Sequence, residues 1–388
     1  MKHSIQIILA FVFSCALHAQ VPQHIDVDKR GDFTRIIPIS ISGFTGEADS
    51  VLKFDLSVLG LEATSADKAD YLISGSQNAS LEGRLQPTGS NSAAGNGFAP
   101  RVYSGGNTRS QAHAFADDIV KAIRGTPPIF HTKIAFCRKE GPNMELCVSD
   151  FDGQGVVQMT HDGTLVATPA WSPGGRHLFY TSWKSGYTQI FEHDTATGKR
   201  SVFAAYGGGN FNPSISPDGK KVAMILSKGG SPNLYVCDSD GSNLKQLTFE
   251  RDEASSPTWS PDSQTICYVV HSGRASLRKI SVSGGKPQLL PAGIGGNLTS
   301  PDWSPDGRMI IFTSGSGNFT LWITPAAGGE AEQLVAGEDP CWAPNSRTVI
   351  FTRQVNHNPV LSLLDVPTKH VKDVGQLSGS CSQPAWAR

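Results

Sequence analysis

A seven-residue phrase, Pro301-Asp-Trp-Ser-Pro-Asp-Gly307, returns in near-copies through most of the chain, and this recurrence limits the fold more than any other feature. The copies start at Pro169, Pro213, Pro257, Pro301, Pro340 and Pro384, spaced by 44, 44, 44, 39 and 44 residues. A fixed period in this range marks a supersecondary unit that cannot bury its apolar face alone and must stack on its neighbours. Within each copy, Ser-Pro-Asp-Gly puts Pro where a turn needs its φ preset and Gly where φ becomes positive. A Trp precedes the turn and an alternating apolar run follows it, as in Leu178 and Tyr180 or Val222 and Met224. Two further apolar runs separated by Asp/Gly turns complete the unit, so each copy predicts four strands, the pattern of a β-propeller blade.

Counting the strand after each turn gives six, at residues 133–136, 177–180, 221–224, 265–268, 309–312 and 348–351. The first unit has no Pro-x-Trp segment of its own, and an orphan one, Pro384-Ala-Trp-Ala387, stands at the C-terminal side. The expectation is a six-bladed propeller whose ring is closed by that C-terminal strand, which removes exposed sheet edges. Trp171, Trp259, Trp303, Trp342 and Trp386 are expected to pack at blade interfaces.

Residues 20–127 lack the repeat and read as a small α/β domain. A strand over 34–41 carries Pro38, which argues for an edge or a strand end. A helix over 47–59 stops at Gly60, a second strand covers 70–74, and 87–100 is a Gly/Ser/Asn hairpin loop. Over 109–124, Ala112, Phe115, Ala116, Ile119 and Ile123 fall on one helical face, with Gly125 as the stop. Gly125-Thr-Pro-Pro128 then links to the propeller, expected over 128–388.

Lys2 followed by an apolar run over 5–17 and the small residue Ala19 reads as a secretory signal over 1–19, cleaved near Ala19; the competing reading is a lipoprotein signal acylated at Cys15. The expected location is the periplasm, as a monomer with no transmembrane span, since no later run is long enough. With 33 Lys and Arg against 34 Asp and Glu, the net charge of -1 offers no basic field for nucleic acid. Export permits disulfides, and Cys137 and Cys147 lie on successive strands where they could face each other. Cys237, Cys267, Cys341 and Cys381 read as packed thiols, and no C-x-x-C pair supports zinc or redox chemistry.

Gln111-Ala-His113, Ala116-Asp-Asp-Ile119, Gly125 and Phe130-His-Thr-Lys-Ile-Ala-Phe136, leading into the Trp-Ser-Pro-Asp-Gly units, together resemble the TolB family of periplasmic propellers from the bacterial Tol-Pal envelope system. The resemblance spans the mature chain. It implies a non-enzymatic scaffold that binds the peptidoglycan-associated lipoprotein Pal and the inner-membrane protein TolA, supporting envelope integrity and cell division. It also implies that the start of the mature chain reaches TolA. The matching positions are 22–32, with His24, Ile25, Asp26 and Val27 as contacts, although Gln23-His24 and Lys29-Arg30 replace more acidic or neutral residues.

No nucleophile elbow, H-E-x-x-H or Walker loop is present, and no catalytic residue, cofactor or metal is expected. Asp150-Phe-Asp-Gly153 and Asp238-Ser-Asp-Gly241 lack the spaced carboxylates of a calcium loop and read as turns. In a propeller, function belongs to the loops that the scaffold holds. Those leading into the Pro-x-Trp segments, at 160–168, 205–212, 249–256, 292–300, 336–339 and 375–383, should ring one mouth of the channel. His161, Asp162, Asn210, Asn212, Arg251, Asp252, Glu253, Asn297, Glu338 and Asp339 are the expected partner contacts there. A channel that takes carbohydrate or another small ligand is the alternative.

Overall fold

The computed structural model describes residues 34–89, 97–249 and 251–388. The expected signal segment, Cys15, the expected contacts His24, Ile25, Asp26 and Val27, and half of the 87–100 loop, residues 90–96, lie outside these residues.

The first part is a five-stranded mixed sheet with two helices. In chain order it comprises β1 (Ile37–Ser42), α1 (Gly46–Val58), β2 (Leu61–Ala63), β3 (Tyr71–Gln77), β4 (Leu81–Pro87), β5 (Phe98–Tyr103) and α2 (Thr108–Arg124). The sheet order is β2-β1-β3-β4-β5, with β1 parallel to both its neighbours. Pro38 therefore lies in an internal strand, not at an edge; it is tolerated as the second residue of that strand, and its carbonyl still accepts from Asp70 N at 2.8 Å. The strands β2, β4 and β5 were not legible in the sequence. Alternation in β4 turns Leu81, Gly83 and Leu85 toward α2, where a Cβ on Gly83 would stand 2.4 Å from the Phe115 ring. Helix α2 begins at Asn107, whose side chain caps Ser110 N at 2.8 Å, and ends at Gly125 with φ 70°.

The rest of the described chain forms six four-stranded antiparallel sheets. Their innermost strands are Val166–Trp171, Asn210–Ile215, Glu253–Trp259, Leu298–Trp303, Glu338–Trp342 and Cys381–Trp386. The last of these pairs with Lys133–Glu140, Ala385 opposite Ala135 and Trp386 opposite Ile134, so the ring closes through the C-terminal segment. We number that sheet blade 1 and the others 2 to 6 in chain order.

Trp259, Trp303, Trp342 and Trp386 are buried and Trp171 is half-buried. Three of the indoles also tie adjacent blades. Trp171 Nε1 donates to Ala385 O at 3.2 Å, Trp259 to Ser214 O at 3.0 Å and Trp342 to Asp302 O at 3.2 Å, each acceptor being the middle residue of Pro-x-Trp, or its Ile variant, one blade back. Trp303 instead donates to Gly307 O in its own turn.

Cys137 and Cys147 do not face each other. Cys137 pairs with Leu146 and Cys147 with Phe136, so one step of register sends the two thiols to opposite faces of the sheet. All six described cysteines are free. Helices α1 and α2 share one continuous apolar core with blades 1 and 6, in which Phe151 meets Phe54 at 6.0 Å, Phe130 at 5.3 Å and Trp386 at 6.4 Å between ring centroids.

Candidate functional site

The six inner strands surround a channel of about 790 Å³. Each strand starts on the loop from the previous blade, and in blades 2 to 6 it ends in a turn of the Ser-Pro-Asp-Gly kind, so the two mouths differ in origin. The turn mouth is repetitive. Ser216, Ser260 and Ser304 Oγ donate to Asp218, Asp262 and Asp306 Oδ1 at 2.6, 2.5 and 2.6 Å, fixing each turn from within.

The inner strands begin before the Pro-x-Trp phrase, and each contains a break in register just before its Pro. At that break one non-glycine residue adopts a left-handed backbone: Thr168, Asn212, Ser256, Ser300, Asp339 and Gln383, with φ between 49° and 52°. These are β-bulges, which re-aim side chains and locally end pairing. All six residues line the channel and form a polar ring within it. The sequence signal was present, because a polar, non-β-branched or Thr residue precedes each repeat Pro, but the Pro drew attention to the turn that follows it.

The bulges also explain how the ring is held. Asn212, Asp339 and Gln383 donate their backbone N–H to Oγ1 of Thr181, Thr313 and Thr352 on the previous blade, at 3.3, 3.2 and 3.1 Å. Blade 1 has Cys137 at the corresponding position, and there the Gln383 side chain substitutes, accepting from Thr168 N at 2.8 Å.

Glu338 and Asp339 put two carboxyls side by side in the channel wall. Burial pushes both above the ordinary carboxylate range, and Asp339 raises Glu338 further; the Ser300 hydroxyl, 3.0 Å from Asp339 Oδ1, works the other way. Near the turn mouth, Arg388 Nη2 pairs with Asp302 Oδ2, and its Nε donates to Trp342 O at 3.0 Å.

The expected partner contacts separate into three groups. His161, Arg251, Glu253 and Asn297 are exposed, and Asp252 is half-buried. Asn212, Glu338 and Asp339 face the channel, along with Asn297. Asn210 and Asp162 are engaged within the chain. Asn210 is fully buried, its Oδ1 accepting from Tyr206 N at 2.9 Å and its Nδ2 donating to Thr188 O, Tyr206 O and Gly208 O at 2.9 to 3.2 Å. Asp162 is gripped by Arg200 at 2.6 and 3.0 Å and by Lys184 at 2.9 Å; burial alone would raise its pKa, but these two cations hold it below the usual range. Both side chains are consumed in holding loops between blades. Sequence reasoning passed over two aromatic residues near this mouth: Phe249, 78 % exposed on the loop into blade 4, and Phe319, which reaches the channel from a blade 5 hairpin.

Among the described residues no helix is long and apolar enough to cross a membrane, and Asp150 and Asp238 close tight turns through Gly153 N and Gly241 N, both at 2.9 Å.

The sequence pattern described as the TolB beta propeller domain matches residues 120–388, well over half of the chain. The chain belongs to the TolB β-propeller family. Curated relatives include the Tol-Pal system protein TolB of Francisella tularensis, 34% identical over 36% of this chain and 34% of its own length. The protein of the same name from Anaeromyxobacter dehalogenans is 33% identical over 40% of this chain and 35% of its own. The chain thus aligns with about a third of the length of these TolB relatives. The crystal structure of TolB from Acinetobacter baumannii superposes with a TM-score of 0.79 over 93% of this chain and 98% of that one, at 21% identity, so the TolB fold extends to the N-terminal sheet as well.

Proposed function

We propose that the chain is a non-enzymatic periplasmic scaffold of the Tol-Pal type. Its propeller mouth carries a Pal-like peptidoglycan-associated lipoprotein, and residues 22–32 reach a TolA-like inner-membrane protein, tying the outer membrane to the peptidoglycan layer. The observation that carries the reading is the contrast between the two mouths. In blades 3, 4 and 5 the turn mouth repeats the same self-bonded Ser-x-Asp turn, whereas the loop mouth presents exposed Phe249, Arg251, Glu253, His161 and Asn297 on loops that differ from blade to blade. An exposed aromatic among exposed polar groups suits protein recognition. Asn210, buried and bonded inside the protein, and Asp162, held by Arg200 and Lys184, are left out of the proposed contact set.

The test is retention of the host's peptidoglycan-associated lipoprotein on the immobilised chain. Capture that is lost in a Phe249→Ala, Arg251→Ala, Glu253→Ala variant supports the reading, and no capture by the unaltered chain refutes it. A second reading, a carbohydrate or other small polar ligand in the channel, is favoured by the hydroxyl and amide ring of Thr168, Asn212, Ser256, Ser300 and Gln383. Binding of a soluble glycan, lost on filling the ring with Ser300→Gln, would support it.

A further inference from the structure

After Gly125 the chain turns back along α2 before it enters blade 1, and Asp117 of α2 receives it. Asp117 Oδ1 accepts from Ile129 N at 3.1 Å and Phe130 N at 3.3 Å, while Oδ2 faces His131 Nδ1 at 3.3 Å. The other ring nitrogen, Nε2, lies 3.1 Å from Ser110 O and 3.4 Å from Ser110 Oγ, in the first turn of the same helix. A carboxylate oxygen and a peptide carbonyl only accept hydrogen bonds. Making both contacts requires a proton on each ring nitrogen, which the neutral imidazole does not have.

We propose that His131 is a protonation-dependent clasp, which in its doubly protonated form fastens the segment 125–132 to α2 and so sets how firmly the sheet domain is joined to blade 1. The inference rests on these contacts and not on the partner reading above.

The surroundings favour the charged form. From α2 the imidazole faces Ser110, Asp117 and the His113 ring, 5.6 Å away between centroids. Arg109 of α2 is paired with Asp152 of blade 1, and Lys133 is paired with Asp150 at 2.7 Å. Asp55 of α1 is engaged with His113 at 2.6 Å. The hydrogen bond from Asp117 raises the proton affinity of His131 most; partial burial opposes it, and the charge of Asp117, the Ser110 carbonyl and Asp150 add to it. His113 does not compete for the proton, because burial first and then the charge of Arg109 push it down to about 3, leaving it neutral. With the folded-state affinity above the ordinary histidine value of about 6.5, the clasp is complete below that pH and is released as pH rises through the folded value.

The experiment follows the His131 ring proton by NMR in the full chain, together with amide-exchange protection at Ile129 and Phe130, across pH 5 to 9. The wild-type midpoint should lie above the ordinary value, and protection at the two amides should fall several-fold across it. His131→Gln should give low protection that does not change with pH, and His131→Arg, permanently charged, should hold protection high to pH 9. Asp117→Asn should drop the His131 midpoint to the ordinary value or below. If that variant disturbs α2 by freeing the two amides, the Gln and Arg variants still decide. A wild-type midpoint at or below the ordinary value, or Gln and Arg variants whose protection follows pH as the wild type does, would overturn the proposal.

Discussion

Arg388 of blade 1 reaches across blade 6 to pair its guanidinium with Asp302 of blade 5. Asp302 also accepts from Trp342 N at 2.7 Å and Thr258 Oγ1 at 3.2 Å, so one carboxylate gathers blades 4, 5, 6 and 1 near the turn mouth. Asp302→Ala strands a backbone N–H and a guanidinium together, and the cost should be about 2 kcal/mol. Urea unfolding measures it. Arg388→Ala gives up its bond to Trp342 O but leaves Asp302 bonded to Trp342 N and Thr258 Oγ1, and should cost less. Removing residues 382–388 deletes the strand opposite Lys133–Glu140 and should lower the melting temperature far more than either substitution.

The bulge ring makes two substitutions at one position differ in cost. Ser256 holds φ 49° inside a strand, where a β-branched side chain is strongly disfavoured and glycine is free. Ser256→Gly should stay within about 1 kcal/mol of wild type, while Ser256→Val should lose about 2 kcal/mol. Thermal melts of the two variants, read side by side, check this.

Asn210 separates holding from binding. Its amide closes the loop over residues 206–210 and joins it to the neighbouring blade at Thr188, so Asn210→Ala should cost about 2 kcal/mol of stability. At a temperature where the variant is folded, partner affinity should be unchanged. A large loss of affinity with unaltered stability would contradict the assignment.

The cysteines should be silent in the native state. Burial pushes Cys237, Cys267, Cys341 and Cys381 up to about 12 and Cys147 to about 11. The thiolate is the reactive form, so a thiol reagent at pH 8 should find almost nothing until denaturant is added, when all six described cysteines should react.

The repeat revealed the propeller because its period is a property of chain connectivity. Blade number and closure by Pro384 to Ala387 follow from counting phrases, and α2 followed from its apolar face and Gly125. Other features depend on partners distant in the chain. Pro38 read as an edge or strand-end residue because it cannot donate to a ladder; it is the second residue of β1, and the strand that keeps β1 from being an edge is only the three residues Leu61–Ala63. Asn210 and Arg251 looked alike as polar loop residues, yet one is fully satisfied inside the protein and the other is exposed. Polarity states that a group needs partners; it does not state whether water, the protein or another molecule supplies them. The bulges escaped notice because left-handed backbone is usually signalled by glycine, and none of the six positions carries one.

The proposed partner of the loop mouth of this TolB-type ring is a peptidoglycan-associated lipoprotein. The most direct measurement is calorimetric titration of the host's lipoprotein, without its lipid, into the unaltered chain and into the Arg251→Ala, Asp252→Ala, Glu253→Ala variant. The account predicts saturable one-to-one binding to the unaltered chain and at least tenfold weaker binding to the variant at equal stability. Absence of binding, or equal affinity for both proteins, would contradict it.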